Sequence, residues 1–335
     1  MNIIMELKTL ERGVIVEQIP EQVIRQASDF FGCLGPLRLM ESSYNNVFEA
    51  YQDHHPVILK IMPRTIADVD AIMSELEWVR FLGSRGLKVC SPTLSRQGQF
   101  VENIVSGDLM YHALCFEKSQ GVSVGPKGPN WNQNLFRTWG AAMGTMHAAA
   151  TQFRPSHPAI RRPYWYEYAL FNNLNDFPKS GGEMVRKKWI DAAEWLHSLP
   201  TPPGAFGLIH NDLHHYNFHV LDQGLVLFDF GDCEYGWFSY DIAISAYHAV
   251  QTVSLEDRTT FAKQFISAFL EGYLSRHNLE PEWIQLIPKF IEYRRLFSLV
   301  FFLHHAGTFG VDDDTWKAIM TMKAEVERDE PYIKC

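Results

Sequence analysis

Cysteine is scarce in this 335-residue chain. The five present (Cys33, Cys90, Cys115, Cys233, Cys335) are odd in number and form no C-x-x-C pair. A disulfide framework therefore has no basis. Cys90, Cys115 and Cys233, in apolar surroundings, read as buried free thiols of a reducing compartment. No run of about 18 apolar residues occurs, so no membrane span is expected. The opening stretch MNIIMELKTLERG carries acids early and lacks the apolar centre of a secretion signal, which points to the cytoplasm. Positive charge is in deficit as well, with a net charge of −9. A nucleic-acid surface needs clustered Lys and Arg, so no nucleic-acid partner is expected. Neither G-x-x-x-x-G-K-[ST] nor G-x-G-x-x-G is found, which leaves a P-loop or dinucleotide fold without an anchor.

Apolar material is plentiful, at 46% of residues with 9 Trp, 13 Tyr and 23 Phe. At this length one large domain or two lobes are expected. Residues 20–31 read as a helix stopped by Gly32. LRLME, NVFEAY and PVILKIM read as three strands, the last closed by Pro63. Residues 66–83 place Ile72, Leu76, Val79 and Leu82 at helical spacing. QFVENIV and YHALCFEK are two further strands. After Ser119 the Gly- and Pro-rich GVSVGPKGPN reads as a linker. From Trp131 onward helices dominate to about residue 327, interrupted by one hairpin signature, FHVLDQGLVLFDF, around Asp222-Gln223-Gly224. The pattern is α+β: a β-rich N-terminal lobe (1–118) and a larger, mainly helical C-terminal lobe (119–335).

HNDLHHYNF, residues 210–218, invites a zinc reading because His210 and His214 are four apart. The segment enters a hairpin, however, and an extended chain turns His214 and His215 to opposite faces. GVSVG, residues 121–125, matches a serine-nucleophile elbow. Pro126, Gly128 and Pro129 follow where that motif requires a helix. A better fit comes from the acids and the amide. Asp212 is followed after five residues by Asn217, then by a hairpin that ends in Asp229-Phe230-Gly231. An H-x-D-x-x-x-x-N loop with a D-F-G supplies a hydroxyl-orienting Asp and oxygen ligands for Mg²⁺. The same chemistry requires a lysine on the third strand, which Lys60 meets, and a glutamate on the following helix, where Glu75 fits better than Glu77.

With these elements in order, the sequence resembles the aminoglycoside phosphotransferase and choline-kinase-like family, whose fold is protein-kinase-like. The family loop HGDLHxGN is HNDLHHYN at 210–217. Its metal motif is DFGD at 229–232, and its D-[IL]-A is Asp241-Ile242-Ala243. WGAAMGTMH, ending at His147, is similar to the family's G-x-x-L-A-x-L-H helix. SSYNNVFEAY is similar to its nucleotide loop. The resemblance covers about residues 35–250. GDCEYGWFSYDIA looks closest to members acting on amino alcohols or amino acids, such as homoserine- or hydroxylysine-kinase-like proteins.

The resemblance implies ATP and Mg²⁺ as cofactors. Asp212 would be catalytic, and Asn217 and Asp229 would hold the metal. Lys60 would contact the phosphates and pair with Glu75. Ser43 and Asn46 would belong to the nucleotide loop, with Glu117 and Lys118 in the adenine hinge. His210 and Asp241 would support the loop. Asp232, Glu234, Trp237, His215 and Tyr216 are acceptor-site candidates. Asp232 and Glu234 would suit an amine. A solvated loop is the equal alternative for them. Trp165, Tyr166 and Trp237 are read either as lining of the acceptor pocket or as core, with core expected for two of the three. His147 reads as a satisfied core histidine. Two departures stand out: the nucleotide loop has no glycine, and Asn211 and His215-Tyr216 replace small residues. The expected activity is phosphorylation of a small-molecule hydroxyl by a monomer or homodimer, with amino alcohols, amino acids, aminoglycosides and sugars as acceptor types. A protein Ser/Thr kinase of the same fold, or a nucleotide-binding regulator without turnover, is the alternative.

Overall fold

A computed structural model describes residues 19–41, 46–158, 160–168, 171 and 174–333. Helix α1 (Glu21–Phe31) ends at Gly32, whose φ of 63° lets the chain turn into the sheet. The sheet comprises β1 (Cys33–Glu41), β2 (Asn46–Gln52), β3 (His55–Pro63), β4 (Pro92–Thr93), β5 (Val101–Ser106) and β6 (Leu109–Glu117). Every pairing is antiparallel, in the order β1-β2-β3-β6-β4, with β5 also on β6. Strand alternation gives this sheet two dry faces. Leu59 and Ile61 pack with Phe48, Ala50 and α1 on one side. On the other, Ile58 and Met62 meet helix α2 (Val69–Ser84), and Lys60 lies between them. Helix α2 begins three residues later than the spacing predicts, because Asp68 caps it by accepting from Ala71 N at 2.8 Å.

Among the described residues the further α-helices are α3 (Gln133–Ala150), α4 (Gly182–Ser198), α5 (Phe238–Val250), α6 (Arg258–Leu274), the short α7 (Pro281–Ile284), α8 (Ile287–Phe309) and α9 (Asp313–Glu327). They enclose a second core built on Trp139, Trp189, Phe238, Phe265 and Tyr273. Helices α3 and α6 pack at backbone distance. A Cβ on Gly140 would sit 1.9 Å from Phe269 O, and one on Gly272 1.9 Å from Arg137 O.

Four short strands lie on this core. β7 (Phe206–Ile209) pairs with β10 (Glu234–Trp237), and β8 (Phe218–Val220) with β9 (Leu225–Leu227). The hairpin expected over 218–230 is thus real but shorter, since Asp229 adopts φ 65° and leaves the ladder. Chain on either side borders the hairpin. Leu227 bonds Lys88 O and Cys90 N, and Val220 exchanges both backbone bonds with Val122. This contact explains GVSVG: Gly121 has φ 91° and a Cβ there would lie 2.3 Å from Val220 O, while Ser123 is exposed with no helix before Gln133. The four described cysteines are free thiols; Cys90, expected to be buried, is only partly so. Among the described residues no helix is long and apolar enough to cross a membrane.

Candidate active site

Between β7 and β8 the stretch 210–217 folds back on itself. Asp241, on the first turn of α5 and fully buried, holds its start. Its carboxylate accepts from His210 N at 3.0 Å and Asn211 N at 2.9 Å, and lies 3.0 Å from His147 Nε2. His147 is buried too, and its Nδ1 lies 2.8 Å from the Tyr273 hydroxyl. Asn211 takes φ 66°, a left-handed conformation that Asn tolerates better than most residues, which accounts for a non-glycine where the family usually has Gly. His210 is packed against Phe230, its Nε2 3.2 Å from Phe228 O; burial pushes its pKa down, so it sits there neutral.

Asn217 turns its amide nitrogen inward, donating to Asp212 O at 2.9 Å and Asp212 Oδ2 at 3.2 Å. The amide oxygen is left for another partner. Phe228 N donates to Asn217 O at 3.1 Å, which brings Asp229 beside Asn217. Lys60 Nζ reaches Asp229 Oδ1 at 2.9 Å, and its charge holds the Asp229 carboxyl below its ordinary value. Glu75 is buried on α2. Burial pushes its pKa up, while the charges of Lys60 and Arg162 pull the other way. Among the described residues no group of three or more His, Cys, Asp or Glu gathers as a metal cluster. Asn217 and Asp229 instead present two hard oxygens, the donor set that suits Mg²⁺, which keeps waters and takes further oxygens from phosphates.

Asp212 has neighbours that sequence reasoning missed. Arg294 of α8 donates to its Oδ1 at 3.0 Å and to Asn211 O at 3.3 Å. His214 Nε2 is 3.2 Å from Oδ2 and His248 Nε2 3.7 Å from Oδ1. Burial opposes the charge of Asp212, but His214, Arg294 and His248 outweigh it and hold the carboxyl well below the usual range. The signal available was a pair of arginines within the apolar run FIEYRRLFSLVFF. Its second member, Arg295, bonds Glu325 at 2.9 Å and Glu330 O at 2.7 Å.

Next to Asp212 the cleft is acidic. Asp232 meets solvent, yet loss of water around it, then repulsion by Asp212 and Asp229, pushes it up to about 6. Glu234, half-buried, is pushed up to about 8 by burial and then by Asp232. Of the other acceptor candidates, Tyr216 stays next to the site, its N donating to His214 Nδ1 at 3.2 Å. Trp237 is core, its Nε1 donating to Pro200 O at 2.9 Å while its ring packs on Trp165 and Phe206. Trp165 is buried with it, whereas Tyr166 is exposed. His215 is buried against Trp131 and Tyr216, and Tyr216 is partly exposed.

On the nucleotide side, Asn46 pairs with Ile61 and so shares the face of the α1 core, opposite Lys60, which pairs with Val47. Ser43 lies outside the described residues. Glu117 is exposed at the end of β6. Lys118 follows it, but its Nζ bonds the buried Glu49 of β2, which also accepts from Arg38 Nε at 2.9 Å.

Known proteins resemble this chain in sequence and fold. The sequence pattern of the "Phosphotransferase enzyme family" matches residues 37–281. The amicoumacin kinase of Bacillus subtilis (strain 168) is 30% identical over 299 residues, 88% of each chain. Among solved structures, the amicoumacin kinase hAmiN in complex with AMP-PNP, Ca²⁺ and Ami superposes with a TM-score of 0.86, at 27% identity over 97% of each chain. A microcompartment-associated aminopropanol kinase superposes with a TM-score of 0.73, at 22% identity over 92% of this chain and 95% of its own. The fold is the protein-kinase-like one expected from the motifs.

Proposed function

The chain belongs to the phosphotransferase enzyme family, and from that premise we propose an ATP- and Mg²⁺-dependent kinase whose acceptor is the hydroxyl of a small cationic molecule. It is a phosphotransferase that acts on small molecules through an alcohol group. One observation supports the rest: Asp212, Asn217 and Asp229 converge beside Lys60 and the acidic side chains of Asp232 and Glu234.

Asn217 and Asp229 would hold Mg²⁺, which neutralises phosphate charge when bound. Lys60, 2.9 Å from Asp229, would exchange that partner for a phosphate oxygen. Asp212 would accept a hydrogen bond from the acceptor hydroxyl and fix its line of attack. A carboxylate flanked by Arg294, His214 and His248 is a poor base, so its main effect is orientation, with the proton leaving late. Asp232 would supply negative charge for an ammonium group, joined by Glu234 as it ionises around pH 8, which suits an amino alcohol or amino acid better than a neutral sugar. ATP analogue and Ca²⁺ in the solved amicoumacin kinase are in keeping with nucleotide and divalent metal use.

Screening hydroxylated amines, amino acids and sugars for ATP consumption tests the reading. Wild type should turn over an amine-bearing acceptor. Asp212→Ala should lose about 10²–10⁴-fold in kcat yet still bind nucleotide. Full activity in Asp212→Ala would refute the assignment.

A further inference from the structure

We propose that Arg162 is a positioning residue that ties helix α2 to the loop after Asp229, so that Glu75 and Asp229 are placed together; the inference builds on the site reading above. Arg162 lies between α3 and α4, and only 9% of it is exposed. Its guanidinium donates to three backbone carbonyls from two separate elements. Nη1 reaches Ala71 O in α2 at 3.1 Å. Nε reaches Cys233 O at 2.7 Å, and Nη2 bonds Gly231 O.

The acceptors matter more than their number. Ala71 is one helical turn before Glu75 on the same face. Gly231 and Cys233 flank Asp232 and follow Asp229, which is itself held at φ 65°. The position a Cβ on Gly231 would take is 4.0 Å from both Asp229 Oδ1 and Glu75 Oε2. The loop carbonyl that Arg162 grips therefore belongs to the residue lying between the two carboxylates. Glu75, Asp232 and Glu234 also surround the cation, so that one side chain is both fastener and counter-charge. The two roles separate by chemistry. A planar fork with five N–H donors can satisfy carbonyls from two directions, whereas an ammonium supplies charge but no such geometry.

The test uses the full chain carrying Arg162→Lys, with Arg162→Met beside it. Hydrogen exchange without nucleotide should show amides of 69–76 and 229–234 losing protection together in Arg162→Lys, while α4 keeps wild-type exchange. Affinity for an ATP analogue with Mg²⁺ should fall, and kcat should drop by up to about 10²-fold, the scale of an ångström's misplacement. In a double-mutant cycle, Arg162→Lys should cost little more once Glu75→Gln is present, because both act on one contact network. Wild-type exchange and nucleotide affinity in Arg162→Lys would overturn the proposal and leave Arg162 as a counter-charge. The exchange measurement needs no nucleotide, so it judges the coupling by itself. A wild-type chain that turned over no acceptor would instead count against the proposed function.

Discussion

Asp212 is the residue on which the site turns, and its environment is more cationic than the loop motif implies. Arg294 comes from 82 positions further along the chain to bond its carboxylate. Replacing Arg294 with Met removes the arginine among the partners of a largely enclosed carboxylate, and a bond to Asn211 O. Arg294→Met should therefore lower kcat about 10–10²-fold with little change in nucleotide affinity, read from steady-state kinetics and direct binding. Glu234 makes a second prediction, on pH. Its carboxyl is pushed up to about 8, so it is largely protonated below that value and anionic above it. Binding of a cationic acceptor should strengthen as pH rises through about 8, and Glu234→Gln should flatten that part of the KM profile. A neutral-sugar acceptor would show no such rise. Asp212, Asn217 and Asp229 could be singled out because each belongs to a short motif with local spacing, and Lys60 because it lies on the third strand; the structure brings Asp212 beside Asn217 and Lys60 beside Asp229. Arg294 could not be, since nothing local separates it from Arg295, which bonds Glu325 instead.

Among the elements, the hairpin and five strands of the N-terminal sheet were legible from alternation and turn chemistry, whereas the two-residue β4 is too short to show a pattern. The β7–β10 pair was not legible either. Its strands have four residues each and are joined over a separation that includes the whole catalytic loop, so that neither shows a period of its own. Helix α3 was legible, but its partner was not. The contact with α6 depends on Gly140 and Gly272 lying against carbonyl oxygens. Gly140→Ala places a methyl group where Phe269 O sits, and backbone yields less readily than a side chain. We expect a loss of about 1–3 kcal/mol, measured by urea unfolding, with site chemistry retained. The same helix carries His147 into its bond with Asp241. Burial lowers the His147 pKa even though Asp241 pulls it upward, so the folded state holds it neutral. The unfolded chain binds a proton there below about pH 6.5 and the native chain does not. Stability should be fully present above that pH and fall as the solution is acidified below it. His147→Gln should weaken this dependence below about pH 6.5.

Across the whole molecule, the proposed site is assembled from both lobes. Lys60 and Glu75 come from the sheet and its helix, Asp212 and Asn217 from the loop after β7, and Asp229 from the end of the hairpin. Lys60 and Asp229 are 169 positions apart in sequence and joined by one ion pair. The expected boundary at 118/119 falls where β6 has ended, but Val122 is bonded to Val220 and Cys90 to Leu227, so chain on both sides grips the same hairpin. A ligand that bridges the lobes should stabilise both together. For nucleotide with Mg²⁺ at about 100 times its Kd, mass action adds about 2.7 kcal/mol, enough to move Tm by several degrees. Asp229→Ala should abolish the metal-dependent part of that shift while leaving the unliganded Tm close to wild type, because it removes an ion pair whose acid is 48% exposed. Asp212→Ala should retain the full nucleotide shift, since the proposed role of Asp212 is toward the acceptor. If Asp229→Ala kept a Mg²⁺-dependent shift equal to wild type, the metal would be held elsewhere, and the convergence of Asn217 and Asp229 would have only a structural role.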